Sequence, residues 1–100
     1  MEQIILWEIR GEIIRACELA VHQALRELKL TATVSVNSEG PLIGRNQLWG
    51  RLPVLEIRGL YLSLRPGIAF TSGELRSLFS KVFADRLGCE PGSKLLDLDG

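Results

Sequence analysis

Residues 50–59 read GRLPVLEIRG, and Pro53 within them is the most informative residue of the chain. Pro53 opens a β-rich run that turns at Arg58-Gly59. Because proline has no N–H for a strand ladder and fixes its own φ, its place at the start of a strand needs a structural reason. The proline also separates an αβ half of the sequence from a ββα half. The sequence therefore predicts an α/β domain organised around Pro53.

Two short strands are predicted on the carboxyl side of Pro53. They cover residues 54–57 and 60–64, and both are rich in β-favouring residues. Arg58-Gly59 between them is a tight hairpin signal. We therefore expect an antiparallel pair here.

A helix is predicted after this hairpin. Pro66-Gly67 ends the second strand, and Thr71 begins a Thr-x-x-Glu capping box with Glu74. We expect the helix to end near Leu87-Gly88, because glycine suits the position just after a helix. The apolar residues expected on its buried side are Leu75, Leu78, Phe79, Val82 and Phe83.

A strand, a helix and a second strand are predicted before Pro53. Residues 3–9 are nearly continuous in apolar and β-favouring residues, as in a central strand covered on both faces. From Glu12 to Leu28, apolar residues recur at steps of three and four and form one stripe of a helix. Residues 31–36 alternate small polar residues with apolar ones, which favours a strand.

The segment just before Pro53 is read as a loop and a short helix. Residues 37–41 have the composition of a loop, and residues 42–49 fit one short helix that Gly44 weakens. The predicted order is thus β-α-β-(α)-β-β-α, a parallel βαβ unit followed by an antiparallel hairpin and a helix. A ferredoxin-like βαββαβ fold is the structural alternative, but it needs a final strand where this chain has only its last residues.

The composition is that of one globular domain. Twelve acidic residues balance twelve basic ones, so no overall charge attracts nucleic acid or an anionic membrane. The apolar run at residues 4–7 is too short, and its flanks too acidic, for a signal peptide or a spanning helix. We expect a domain at residues 1–88, a flexible C-terminal tail at residues 89–100, a cytoplasmic location, and neither a nucleic-acid nor a membrane partner.

The cysteines and the histidine do not form a metal-binding pattern. Cys17 and Cys89 lie far apart, and neither has a partner at metal-ligand spacing. His22 is the single histidine and cannot complete a tetrahedral site. We therefore expect no metal and no cofactor.

Two segments carry a resemblance to a known family: residues 24–28, ALREL, and residues 52–59, LPVLEIRG. Over roughly residues 4–83, the chain resembles the small thioredoxin-like proteins of glutaredoxin size. LPVLEIRG is similar to the family's stretch Leu/Thr-Pro-x-Leu-x-(apolar)-x-Gly, whose proline is cis. The resemblance implies an α/β, thioredoxin-like fold: a mixed four-stranded sheet with helices on both faces, in the order β-α-β-α-β-β-α. It also implies that the backbone of Leu52 pairs with an extended peptide from a partner.

The chain departs from the family at the redox site. The family has a Cys-x-x-Cys pair between the first strand and the first helix, where this sequence has residues 11–14, GEII. Cys17 lies a full helical turn further in and has no cysteine three residues away. A thiol there loses the activation that a helix N-terminus provides. Dithiol exchange is therefore not expected, and an enzymatic activity is the less favoured interpretation.

What remains is recognition of another protein. We expect a thioredoxin-like protein without redox chemistry that binds a partner protein, or a second copy as a homodimer, at the groove beside a cis proline. The residues expected to form this site are Trp49, Arg51, Leu52, Pro53, Arg10 and Gly11. The alternative is a single-cysteine thiol-redox protein that uses Cys17 or Cys89. A third possibility is a small-anion sensor in which Arg10 and Arg51 flank the helix start.

Overall fold

The computed structural model describes residues 2–87 of the chain. Within them the elements follow one another as the sequence predicts, strand–helix–strand–helix–strand–strand–helix. They are β1 (Glu2–Trp7), α1 (Gly11–Leu28), β2 (Ala32–Asn37), α2 (Gly40–Arg45), β3 (Val54–Ile57), β4 (Leu60–Leu62) and α3 (Ser72–Val82). Short 3₁₀ turns cover Trp49–Arg51 and Ala84–Arg86.

The four strands form one mixed sheet in the order β2-β1-β3-β4. β1 runs parallel to β2 and antiparallel to β3, and β3 pairs antiparallel with β4. Because β1 and β2 are direct neighbours, no strand is inserted into this βαβ unit. A ferredoxin-like fold requires such an inserted strand, so that alternative is excluded.

Helices cover both faces of the sheet. Ile4 and Leu6 of β1 lie in the larger core with α1 and α3, whereas Ile5 and Trp7 belong to a smaller core with α2. This division follows from the period of two along a strand, which sends successive side chains to opposite faces. The continuous apolar run of β1 is therefore explained by burial on both sides.

The predicted capping box at the start of α3 and the predicted hairpin turn between β3 and β4 are both confirmed. The Thr71 hydroxyl accepts from the Glu74 N–H, and the Glu74 carboxylate accepts from the Thr71 N–H, which completes the capping box. Arg58 and Gly59 both have positive φ, 52° and 81°, as a two-residue hairpin turn with the right twist requires.

The predicted bounds are wrong in several places. β1 ends at Trp7 rather than at residue 9, β4 ends at Leu62 rather than at residue 64, and α2 ends at Arg45 rather than at residue 49. α2 begins at Gly40 rather than at residue 42, because Pro41 lies in the first turn of a helix, where its missing N–H costs nothing. α3 ends at Val82 rather than near Leu87-Gly88. The Arg58 guanidinium donates to the Val82 carbonyl at 3.0 Å, so a side chain from the hairpin takes the bond that a further turn would supply. The predicted tail at residues 89–100 lies outside the described residues.

Candidate functional site: a cleft at the carboxyl end of β1

A cleft of about 340 Å³ opens where β1 ends. Three separate segments form it: the link from β1 to α1, the 3₁₀ turn before β3, and the loop after β4. Its lining residues are Glu8, Ile9, Arg10, Trp49, Gly50, Leu52, Pro66 and Gly67. The cleft thus brings together residues as far apart in the sequence as Glu8 and Gly67, close to the start of α1.

Glu8 is the buried charge of this cleft. Its side chain is fully buried, and its carboxylate accepts from both Nε and Nη2 of Arg10, each at 3.0 Å. The same carboxylate accepts from the backbone N–H of Ile9 at 2.9 Å and of Arg10 at 3.0 Å. This two-pronged arginine contact and the added backbone donors make the burial of the Glu8 carboxylate tolerable, while the Arg10 side chain stays 46% exposed.

These contacts set the ionisation of the pair. Burial raises the pKa of Glu8, but the hydrogen bonds from the Arg10 side chain and from the backbone of Arg10 and Ile9 outweigh it and hold the pKa below its ordinary value. The hydrogen bond to Glu8 correspondingly raises the pKa of Arg10. Both groups are charged at neutral pH, so the Arg10 guanidinium is fixed at one wall of the cleft.

Trp49 provides an aromatic surface at the opening of the cleft. Its side chain is 55% exposed, and the other side of the indole lies over α2. A Cβ added at Gly44 would lie 3.3 Å from the indole nitrogen, and one at Gly40 would lie 3.6 Å from the six-membered ring. Two glycines one helical turn apart therefore let the ring approach the α2 backbone, and this contact holds Trp49 in place while leaving it half open to solvent.

The Leu52–Pro53 bond is cis, as the resemblance implies. The Leu52 side chain is buried in the smaller core, and its carbonyl accepts from the Gly67 N–H at 2.8 Å. The Leu52 carbonyl therefore already accepts one hydrogen bond from the loop after β4, and pairing of the Leu52 backbone with a partner peptide stays a prediction.

The other predicted site residues lie beside the cleft rather than in it. The Arg51 guanidinium turns to β4 and donates to the Tyr61 carbonyl at 2.8 Å, while the Arg51 carbonyl accepts from the Ser63 hydroxyl. Gly11 is the first residue of α1, directly after Arg10. Pro53 follows Leu52 at the start of β3. The structure thus unites Arg10, Trp49 and Leu52 in one cleft.

The arginine positions do not support an anion sensor. Arg10 is hydrogen-bonded to Glu8 through two nitrogens, and the Arg51 guanidinium is bonded to the Tyr61 carbonyl. Glu8 places a buried carboxylate in the cleft itself. An added anion would meet that negative charge.

Cys17 lies in the larger core on α1 and is fully buried. Burial raises the pKa of its thiol, and the nearby Glu8 carboxylate raises it further against a backbone hydrogen bond at Phe70 that lowers it. A reactive thiol needs the reverse, a lowered pKa and access to solvent. Cys89, the other thiol named by the sequence, lies outside the described residues.

The described residues contain neither a metal-binding cluster nor a membrane-spanning helix. In residues 2–87, no three histidine, cysteine, aspartate or glutamate side chains gather closely enough to hold a metal ion. None of the helices in this part of the chain is sufficiently long and apolar to span a bilayer.

Sequence reasoning missed Glu8 and misread the role of Gly44. Glu8 follows a run of apolar residues and is interpreted from the sequence as the polar end of a strand. The arginine two residues later, Arg10, is the feature of the sequence that could have indicated an ion pair with Glu8. Gly44 reads as a weakness in a short helix, but in the structure its missing side chain admits Trp49. Glycines at positions 40 and 44 share one helix face, and that spacing is the available clue.

Comparison of the chain with family models, with curated proteins and with solved structures finds no match.

Proposed function

We propose that this chain is a thioredoxin-like domain without a dithiol pair, and that it binds an extended, apolar segment of a partner protein in the cleft at the carboxyl end of β1. The observation that carries the proposal is the cleft itself, in which a half-exposed Trp49 stands near Leu52 and a fixed Arg10. Aromatic and arginine side chains are the groups that most often dominate protein interfaces.

The fold assignment rests on the element order and the strand order. A parallel βαβ unit, followed by an antiparallel hairpin and a final helix, is the arrangement that the sequence resemblance implies. The proline at the start of β3 is near the beginning of α1, because β1 pairs antiparallel with β3 and Trp7 lies opposite Val54. In this position the family places its redox pair, and here the chain has Gly11 and Glu12.

Each wall of the cleft has a distinct role in binding. Trp49 and Ile9, which is 41% exposed, supply the apolar surface on which a partner's aliphatic or aromatic side chain packs. Arg10 uses Nε and Nη2 on Glu8, and within residues 2–87 no acceptor takes Nη1, which is free to donate to a peptide carbonyl. Since the Leu52 carbonyl already accepts from Gly67, recognition depends on side chains more than on strand addition.

The test uses peptides selected against the chain. A displayed library of random dodecapeptides is selected on the wild type, and the affinity of the selected peptides is measured by calorimetry. Trp49→Ala should weaken binding by about 30-fold, the effect of losing one interface hot spot. Gly44→Ala, which presses a methyl group against the indole nitrogen, should weaken it less.

Two controls separate the cleft from the rest of the surface. Leu19→Ala removes an apolar side chain that is 73% exposed on α1, and it should leave the peptide affinity unchanged. Arg51→Ala removes a guanidinium bonded to β4, and it should weaken peptide binding less than Trp49→Ala does. Circular dichroism checks that each variant is folded. Selected peptides that bind folded Trp49→Ala as tightly as the wild type would refute the proposal. A second copy of the chain as the occupant would appear instead as self-association that Trp49→Ala abolishes.

A further inference from the structure

β2 is an edge strand with an unusual side-chain composition. It has six residues, ATVSVN, and its neighbour in the sheet is β1, so its other edge has no strand beside it among residues 2–87. Edge strands are normally shielded by charged side chains, proline, bulges or shortness. β2 has no charged residue and no proline, and it pairs with β1 over all six residues.

The opposite edge of the sheet is built differently. β4 has three residues, and the Tyr61 carbonyl in its middle accepts from the Arg51 guanidinium at 2.8 Å. A short strand with an arginine bonded to its backbone is a protected edge. The contrast indicates that the open edge belongs to β2.

The hydrogen bonds to β1 fix which backbone groups of β2 face outward. The Asn37 carbonyl accepts from the Glu8 N–H, and Asn37 lies opposite Trp7. Because N–H and C=O of one residue point to the same side of a strand, and alternate residues point to opposite sides, Asn37 faces β1. Ala32, Val34 and Val36 therefore direct their N–H and C=O away from β1.

We propose that this edge pairs antiparallel with β2 of a second copy of the chain, with the two-fold axis at Val34. In this register Val34 lies opposite Val34 of the second copy, and Ala32 lies opposite its Val36. All three pairs then join outward-facing residues, and each pair exchanges two hydrogen bonds. The two four-stranded sheets become one continuous sheet, and the interface is self-complementary as a two-fold dimer requires.

The side chains match in the same register. Ala32 and Val34 pack against the larger core. Because alternate residues of a strand share a face, Val36 lies on the same face, and these three apolar side chains of each copy meet across the interface. Val36, which is 36% exposed in the single chain, becomes more buried there. On the other face, Thr33 lies opposite Ser35 of the second copy, a pairing of small hydroxyl residues that sheets favour.

Charges just beyond the strand ends are complementary as well. Lys29 and Glu39 are exposed and have no ion-pair partner within residues 2–87. Lys29 and Glu39 are equally far from Val34 along the chain, on opposite sides of it. With the two-fold axis at Val34, Lys29 of one copy therefore lies near Glu39 of the second copy at each end of the paired strands. Opposite charges at an interface favour one orientation over the alternatives.

The test measures the mass of the intact chain by analytical ultracentrifugation over a dilution series. The wild type should be a dimer at high concentration and dissociate on dilution. Val36→Lys places a charge on the seam and should raise the dissociation constant at least tenfold, by analogy with natural edge protection. The matched control is Leu60→Lys, which puts the same charge on a residue that is 52% exposed in β4, and it should leave the dissociation constant unchanged.

A charge exchange tests the register. Glu39→Lys alone should weaken the dimer, and Lys29→Glu together with Glu39→Lys should restore it. A wild type that is monomeric at every concentration overturns the proposal, as does a dimer that Val36→Lys leaves intact and Trp49→Ala dissociates. Val36 is not part of the cleft, so Val36→Lys should not change peptide binding there. A failure of the proposed dimer therefore leaves the proposed function intact, and the two outcomes can be distinguished.

Discussion

The two ends of β1 each carry a glutamate bonded to arginine, and they are built in opposite ways. At the carboxyl end, Glu8 is fully buried and accepts four hydrogen bonds, from Arg10 and from two backbone N–H groups. At the amino end, Glu2 is partly buried, with 16% of its side chain exposed, and it binds both Arg58 and Arg86. One carboxylate is enclosed by a single loop, whereas the other joins distant parts of the chain.

The amino-end cluster works as a clamp. Arg58 in the β3–β4 turn binds Glu2 and also Asp85, which follows α3, and its guanidinium lies 5.0 Å from the centre of the Phe83 ring. The hydrogen bond from Arg58 lowers the pKa of Glu2 to about 2 despite some desolvation, with help from Arg86. Several weak, solvent-screened contacts thus hold the hairpin against the end of α3.

Burial, more than the number of charged partners, determines how much each of these two carboxylates contributes to stability. Removing water from Glu8 makes each of its hydrogen bonds necessary, because a buried group without a partner is costly. Water at Glu2 can replace a lost partner. The two ends of one strand should therefore respond very differently to the same kind of substitution.

The largest effect is expected for Glu8→Ala. The change leaves the Arg10 guanidinium and the backbone N–H groups of Ile9 and Arg10 without the acceptor that the buried carboxylate supplies, so the free energy of unfolding should fall by about 3 kcal/mol. Urea denaturation followed by circular dichroism measures the loss. Glu8→Gln keeps one carbonyl oxygen as an acceptor and should lie between this variant and the wild type. A loss below about 1 kcal/mol for Glu8→Ala would remove the distinction between the two ends.

An intermediate, pH-dependent effect is expected for Arg10→Gln. In the wild type the pKa of Glu8 lies below its ordinary 4.5, so the stabilisation from the ionised carboxylate is present above that value and is lost as the pH falls through the lower folded pKa. Without Arg10, burial raises the pKa of Glu8 with less to oppose it.

The free energy of unfolding of Arg10→Gln should therefore fall furthest below that of the wild type near pH 7. This deficit should shrink on acidification, as the Glu8 carboxyl takes up a proton. Denaturation curves at about pH 7 and about pH 3 measure it. Arg10→Lys keeps the positive charge without the two-pronged geometry and should show a smaller deficit. A deficit that is equal at both pH values would mean that the Glu8 charge is not what Arg10 compensates.

The smallest effect is expected for Glu2→Gln. Its carboxylate contributes stability above its ordinary pKa of 4.5, and this contribution is lost as the pH falls toward about 2. The loss at neutral pH should vanish in about 1 M salt, where exposed charges are screened. Thermal unfolding with and without salt gives the comparison. A salt-insensitive loss as large as that of Glu8→Ala would contradict the view of this cluster as a surface clamp.

Patterns within short stretches of sequence were enough for the elements and their order. The helical spacing from Glu12 to Leu28, the Thr71–Glu74 capping box and the Arg58-Gly59 turn are interactions between near neighbours, so their residue types alone indicate the result. One of the errors in the bounds coincides with a contact from a distant group. α3 stops at Val82 because Arg58, from another turn, binds its last carbonyl.

The site depended on contacts that no local pattern contains. Arg10, Trp49 and Leu52 were named from the sequence, but the burial of Glu8, the glycine face under Trp49, the Gly67 bond to the Leu52 carbonyl and the turning of Arg51 toward β4 each depend on how separate elements and loops pack together. Periodicity reports which side of an element avoids water. Whether a carboxylate is enclosed, or a carbonyl is already occupied, depends on which loops meet there, and that is settled by the packing of the whole chain.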